Sequence, residues 1–92
     1  MSLINAISIA HYTTLANNAS YSMMKLNNNR MNMISNMSAG FGLYSPETLS
    51  AMDTEFEINS LTYSLQYKFA KAMLEQLKKQ QKEDAEKFST FA

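Results

Sequence analysis

Few side chains in this sequence could do chemistry, and they are dispersed. His11 is the only histidine and cysteine is absent, so the nitrogen and sulfur ligands of a usual zinc site cannot be assembled. His11 falls at helical spacing among Ile4, Ile7 and Leu15, which reads as a packing position on an apolar face. Asp53, Glu55 and Glu57 occupy alternate positions. At 100° per residue such positions scatter around a helix, so they do not converge into a carboxylate pair for acid–base catalysis. They read as the solvated, acidic start of a helix, where the dipole favours negative charge. Met23, Met24, Met31, Met33 and Met37 offer soft thioether sulfur of the kind that suits Cu(I). Only some of them share a face, and methionine is also the adaptable filler of cores and binding surfaces. A Gly-rich phosphate loop and a nucleophile elbow are both missing. The expectation is a protein with no catalytic, metal or cofactor residues, acting through its surfaces and not as an enzyme.

The elements that carry these residues are long and few. Ninety-two residues make one domain, and so short a chain buries a core only if its elements are few and long or if oligomerisation helps. Both glycines and the single proline lie between Gly40 and Pro46, which concentrates turn punctuation at one place and predicts one central turn. The formal charge is zero, so the basic footprint of a nucleic-acid binder is missing. No apolar run reaches the ~18–20 residues of a membrane span. The start, Met1-Ser2-Leu3-Ile4-Asn5-Ala6-Ile7, lacks the basic region of a cleaved secretory signal. Cytoplasmic residence and export without a cleaved signal are both compatible with that.

In the first half Ile4, Ile7, His11, Leu15, Ala19, Met23, Leu26, Arg30, Met33 and Met37 recur at three- and four-residue steps, predicting a helix over about 3–38. Eight of the nine asparagines fall between Asn5 and Asn36. Asparagine is a poor helix former, and Asn27-Asn28-Asn29 is the expected fraying point or break. Only Lys25 and Arg30 are charged here. Arg30 shares a face with Met33 and is expected to pair with a carboxylate such as Asp53 or Glu57, across the hairpin or between subunits. The turn, about 39–45, carries Phe41, Leu43 and Tyr44, apolar residues that fold back on the helices or form a tip contact. Ser45 suits an N-cap and Pro46 the first helical position.

The second helix, about 46–87, holds the densest apolar surface. Ile58, Leu61, Leu65, Phe69 and Ala72 form one stripe; Tyr63, Tyr67, Ala70, Leu74 and Leu77 form a second, with Met73 between them. The combined arc is roughly 240° wide, against the roughly 100° of an ordinary surface helix, so one neighbour cannot cover it. The expected architecture is an all-α hairpin completed by oligomerisation or by a partner. Its expected interface is Phe56, Ile58, Leu61, Tyr63, Leu65, Tyr67, Phe69, Met73, Leu74 and Leu77. Charge is ordered along this helix, with Glu47, Asp53, Glu55 and Glu57 early and Lys68, Lys71, Lys78, Lys79 and Lys82 late. That order agrees with the dipole and also suits pairing with a shifted copy. Past Lys78 the sequence turns polar all round, which predicts a fraying, solvated end with Phe88 and Phe91 as late anchors.

The stretch from Leu49 to Gln81, with Leu61-Thr62-Tyr63-Ser64-Leu65, then Lys68, Met73-Leu74-Glu75 and a Lys/Gln-rich end, resembles the C-terminal helix of the small basal-body rod proteins of flagella and type III secretion systems. That resemblance implies a secreted, non-enzymatic subunit packed helically in a hollow rod. The hairpin length with Phe41-Gly42 at its turn looks like the small WXG-type secreted proteins, although tryptophan is absent here. A third class is a small phage-encoded or cytoplasmic adaptor or inhibitor that binds a protein partner. The expected partners are proteins, either copies of the chain in a homo-oligomer or a larger complex, and the zero formal charge leaves no nucleic acid among them.

Overall fold

The computed structural model describes residues 3–38 and 44–91. Two helices, α1 (Leu3–Ser38) and α2 (Pro46–Phe91), run antiparallel as an all-α hairpin. Neither contains an internal glycine or a proline beyond its first position, so nothing in the backbone interrupts them. Ser45 caps α2: the Thr48 backbone N–H donates to Ser45 Oγ at 3.2 Å, and the Ser45 hydroxyl donates to Thr48 Oγ1 at 2.9 Å. The Leu49 N–H donates to the Ser45 carbonyl at 3.0 Å, which closes the first turn. Pro46 then stands where its missing N–H costs nothing, and Glu47 lies in the first turn beside the positive end of the dipole.

Asn27-Asn28-Asn29 does not break α1, which continues through it. All three side chains are exposed. Their low propensity therefore costs only about 0.7 kcal/mol each, while Leu26, Arg30 and Met33 on the other side of the same turns are packed against α2. The second helix also runs on to Phe91, past the expected end near 87. With 46 residues against 36, it outreaches α1. Residues 82–88 are accordingly exposed, and Phe88, expected as an anchor, stands 80% exposed.

The molecule measures 71 × 19 × 16 Å and has a radius of gyration of 20.7 Å, against about 12 Å for a globular chain of this length. It is a rod one helix pair thick. The interior is correspondingly thin: among the described residues only Ala16, Ala19, Ala70 and Leu74 are buried, Ala70 completely. Small side chains in the middle of the seam let the two backbones approach closely, and half-buried residues extend it toward both ends.

On α1 the residues turned to α2 are Asn5, Ile9, Tyr12, Ala16, Ala19, Met23, Leu26, Arg30, Met33 and Met37, an unbroken alternation of four- and three-residue steps. This is a heptad seam. It coincides with the expected face from Ala19 onward; before it, Leu15 is half-buried at the edge of the seam and the other expected residues fall outside. Ile4 and Ile7 are 75% and 60% exposed, and His11 is exposed as well. The packing of Tyr12 decides this end: its ring meets Phe69 edge-on, centroids 5.9 Å apart at 75°. His11 is left outside, its ring edge-on to that of Tyr12 at 5.0 Å.

On α2 the seam is Leu49, Met52, Phe56, Asn59, Tyr63, Tyr67, Ala70, Leu74, Leu77 and Gln81. Its steps alternate like those of α1 except for a second step of four from Tyr63 to Tyr67. Eleven residues therefore separate Phe56 from Tyr67. A strict heptad seam drifts about 20° per repeat around an ideal helix, and the additional step of four recovers that drift at mid-hairpin.

Candidate functional site

The ten expected interface residues fall into two groups. Phe56, Tyr63, Tyr67, Met73, Leu74 and Leu77 are half-buried or buried on the side of α2 turned toward α1. They hold the hairpin together. Ile58, Leu61, Leu65 and Phe69 project from the other side and are 59%, 61%, 55% and 54% exposed. The sequence placed all ten at a surface between molecules; within one chain, the six inner residues already have a neighbour.

The outer four follow steps of three, four and four, and Ala72 continues them after three more. Ile58 to Phe69 and Leu61 to Ala72 are both intervals of eleven residues. Three turns at 3.67 residues each keep a stripe nearly parallel to the helix axis, so this face is a straight apolar ridge. Thr62 lies at its margin and donates its hydroxyl back to the Ile58 carbonyl at 2.8 Å. Its polar group is thereby satisfied within the helix. Phe69 does double duty: half of it is exposed on the ridge while its ring makes the T-shaped contact with Tyr12.

Charge is distributed around this ridge by position along the helix. Glu57 flanks its N-terminal half and Lys68 its C-terminal half, while Glu47 and Lys79 lie beyond its two ends; all four are exposed. Asp53 is engaged elsewhere. It faces Arg30 of α1, Nη2 to Oδ1 at 3.5 Å, while the same guanidinium lies over the Phe56 ring, 4.2 Å from its centroid. Arg30 thus finds its carboxylate inside the hairpin. Beside it a shallow groove of about 190 Å³ runs between the helices over Leu26, Met33, Met52 and Phe56.

Large apolar residues also stand exposed along α1, which was not expected from the sequence. Leu3, Ile4, Ile7, Tyr21, Met24, Met31 and Ile34 are between 49% and 76% exposed. Leu3 and Ile7, then Tyr21, Met24 and Met31, fall on positions of the seam's own rhythm on the opposite side, with Ala10, Thr14, Asn17 and Asn28 standing between them. The methionine cluster divides between these two sides. Met23, Met33 and Met37 turn toward α2 while Met24 and Met31 are exposed, so the five thioethers do not converge.

No protein-family model, curated protein or solved structure matches this chain. Among the described residues no three His, Asp or Glu side chains are placed to hold a metal ion, and no helix is long and apolar enough to cross a membrane. Of the expected tip contact, Tyr44 is 51% exposed; Phe41 and Leu43 lie outside the described residues.

Proposed function

We propose that this chain is a non-enzymatic helical subunit that assembles with copies of itself through the outer face of α2. One observation carries the reading: Ile58, Leu61, Leu65 and Phe69 form a continuous ridge in which every side chain is more than half exposed. Isolated exposed apolar residues need no explanation, but a contiguous patch of large ones marks an interaction surface. The thin seam argues the same way, because a hairpin whose described residues include only three alanines and a leucine that are buried, the rest of the seam being half-buried, gains little stability by itself. Covering the ridge supplies the missing apolar burial. The rod-type subunit of a secretion or flagellar structure is a narrower form of this proposal and rests on the resemblance of residues 49–81.

Sedimentation velocity and circular dichroism over a dilution series test it. The expected result is a mass above the 10.4 kDa of one chain, with a melting temperature that rises with concentration. A single-chain mass at every concentration, with an unchanging melt, would overturn it.

A further inference from the structure

We infer that two copies of the chain pair antiparallel through α2, about a two-fold axis passing beside residue 63. The inference rests on the self-assembly reading and adds its orientation, register and closure. The ridge is nearly its own mirror in length. Reversing one copy about that axis sets Ile58 against Phe69 of the other and Leu61 against Leu65, so each large side chain meets a large one. Beyond the ridge, the same reversal sets Thr54 beside Ala72. Both are small and exposed, which lets the helices stay in contact past the apolar section.

The charges select the same register independently. Glu57 of one copy falls within one residue of Lys68 of the other, and Glu47 falls level with Lys79. Glu57 and Lys68 border the ridge on one flank, and in an antiparallel pair like flanks adjoin. Two-fold symmetry repeats each pairing, as an isologous interface requires. A parallel, in-register pair would set Glu57 level with Glu57, Lys68 with Lys68 and Phe69 with Phe69. Flanking charges contribute more to partner orientation than to affinity. Their agreement with the apolar register therefore identifies the occupant of the ridge as a second copy in the reversed direction. The product is a closed pair with α2 beside α2 at its centre and α1 on each outer side.

Because the chain has no cysteine, cross-linking reads the orientation cleanly. Thr54→Cys and Ala72→Cys are made separately in the full chain, each with a different affinity tag, and treated with a short bismaleimide alone and as a mixture. Both positions are exposed and small, so the ridge keeps its large side chains. In the antiparallel pair Thr54 lies about 27 Å along the axis from its own counterpart, at 1.5 Å per residue. The expected result is several-fold more cross-linked dimer in the mixture than in either variant alone, carrying both tags. Efficient self-cross-linking of each variant would overturn the inference in favour of a parallel pair, leaving self-assembly intact. Association by mass with no cross-link in any sample would overturn it in favour of another face, such as the apolar side of α1. A single-chain mass throughout would overturn both the inference and the reading beneath it.

Discussion

Arg30 lies with its guanidinium carbon 4.2 Å from the centroid of the Phe56 ring while Nη2 stands 3.5 Å from Asp53 Oδ1. The aromatic ring and the carboxylate are one turn apart on α2, so a single side chain of α1 fixes the register of the hairpin near the turn. The two contacts differ in kind. The Arg30 and Asp53 side chains are 37% and 58% exposed, which leaves their ion pair well screened by water. The planar guanidinium covers the ring and shields apolar surface in addition to its charge interaction.

Asp53→Asn is therefore expected to cost no more than about 0.5 kcal/mol of hairpin stability, and Arg30→Ala about 1–2 kcal/mol through lost packing and cation–π contact. Urea unfolding at fixed protein concentration measures both. An Asp53→Asn loss equal to that of Arg30→Ala would show that the ion pair, and not the cover over Phe56, sets the contribution.

The middle of the seam depends on smallness. Ala70 has no exposed surface and lies in the section where α1 presents Ala16 and Ala19. Ala70→Leu is expected to force the helices apart at a cost of about 1–3 kcal/mol. Ala10→Leu, an equal enlargement at an exposed position of α1, should change stability by less than about 0.5 kcal/mol. Equal thermal shifts for the two variants would mean that the helices are not in close contact at Ala70.

This dependence explains which parts of the fold could be read from the sequence. Glycine and proline gathered at one point, with Ser45 before Pro46, made two helices and one reversal legible, because turn chemistry is local. The width of the apolar arc on α2 was legible for a similar reason. Which of its two stripes faces α1 was not, since both are comparably apolar and the choice falls to the small Ala70 and its neighbour Leu74. The N-terminal end of α1 misled for the same cause. Ile4 and Ile7 outweigh Asn5 and Ile9 on any hydrophobic scale, yet Ala16 and Ala19 are the residues of α1 that are buried and Tyr12 takes the place beside Phe69. Close packing of alanines is a tertiary fact that apolar periodicity records only faintly.

The two faces of α2 should separate experimentally. Leu65→Asp places a carboxylate on the ridge and is expected to lower the assembled mass while the chain remains helical. Tyr63→Asp places one in the seam, where an unpaired charge costs several kcal/mol, and is expected to reduce the helical signal itself. Lys71→Asp changes an exposed residue whose ammonium lies 5.9 Å from the Tyr67 ring centroid; it should alter either property only slightly. Sedimentation and circular dichroism on the same three samples decide the matter. Indistinguishable behaviour of Leu65→Asp and Tyr63→Asp would count against a division of labour between the faces.

Charge exchange tests the reversed pairing without touching an apolar residue. Glu57→Lys alone would set two ammonium groups together at both symmetric sites, and Lys68→Glu alone would set two carboxylates together. Each change replaces two attractions with two repulsions. Each is expected to weaken association by about 1–2 kcal/mol, or roughly tenfold in Kd. Combining them in one chain restores opposite charges at both sites, because positions 57 and 68 still face each other with their signs exchanged, so the double variant should recover most of the affinity lost by either single one. The penalty of each single change should also shrink with added salt, as the screening length falls from about 10 Å at 0.1 M to about 3 Å at 1 M. In a parallel pair the exchange leaves like charges level with like, and neither single change would be rescued by its companion. Additive losses in the double variant, measured by sedimentation equilibrium at low salt, would therefore sink the antiparallel arrangement even if the ridge remained the site of assembly.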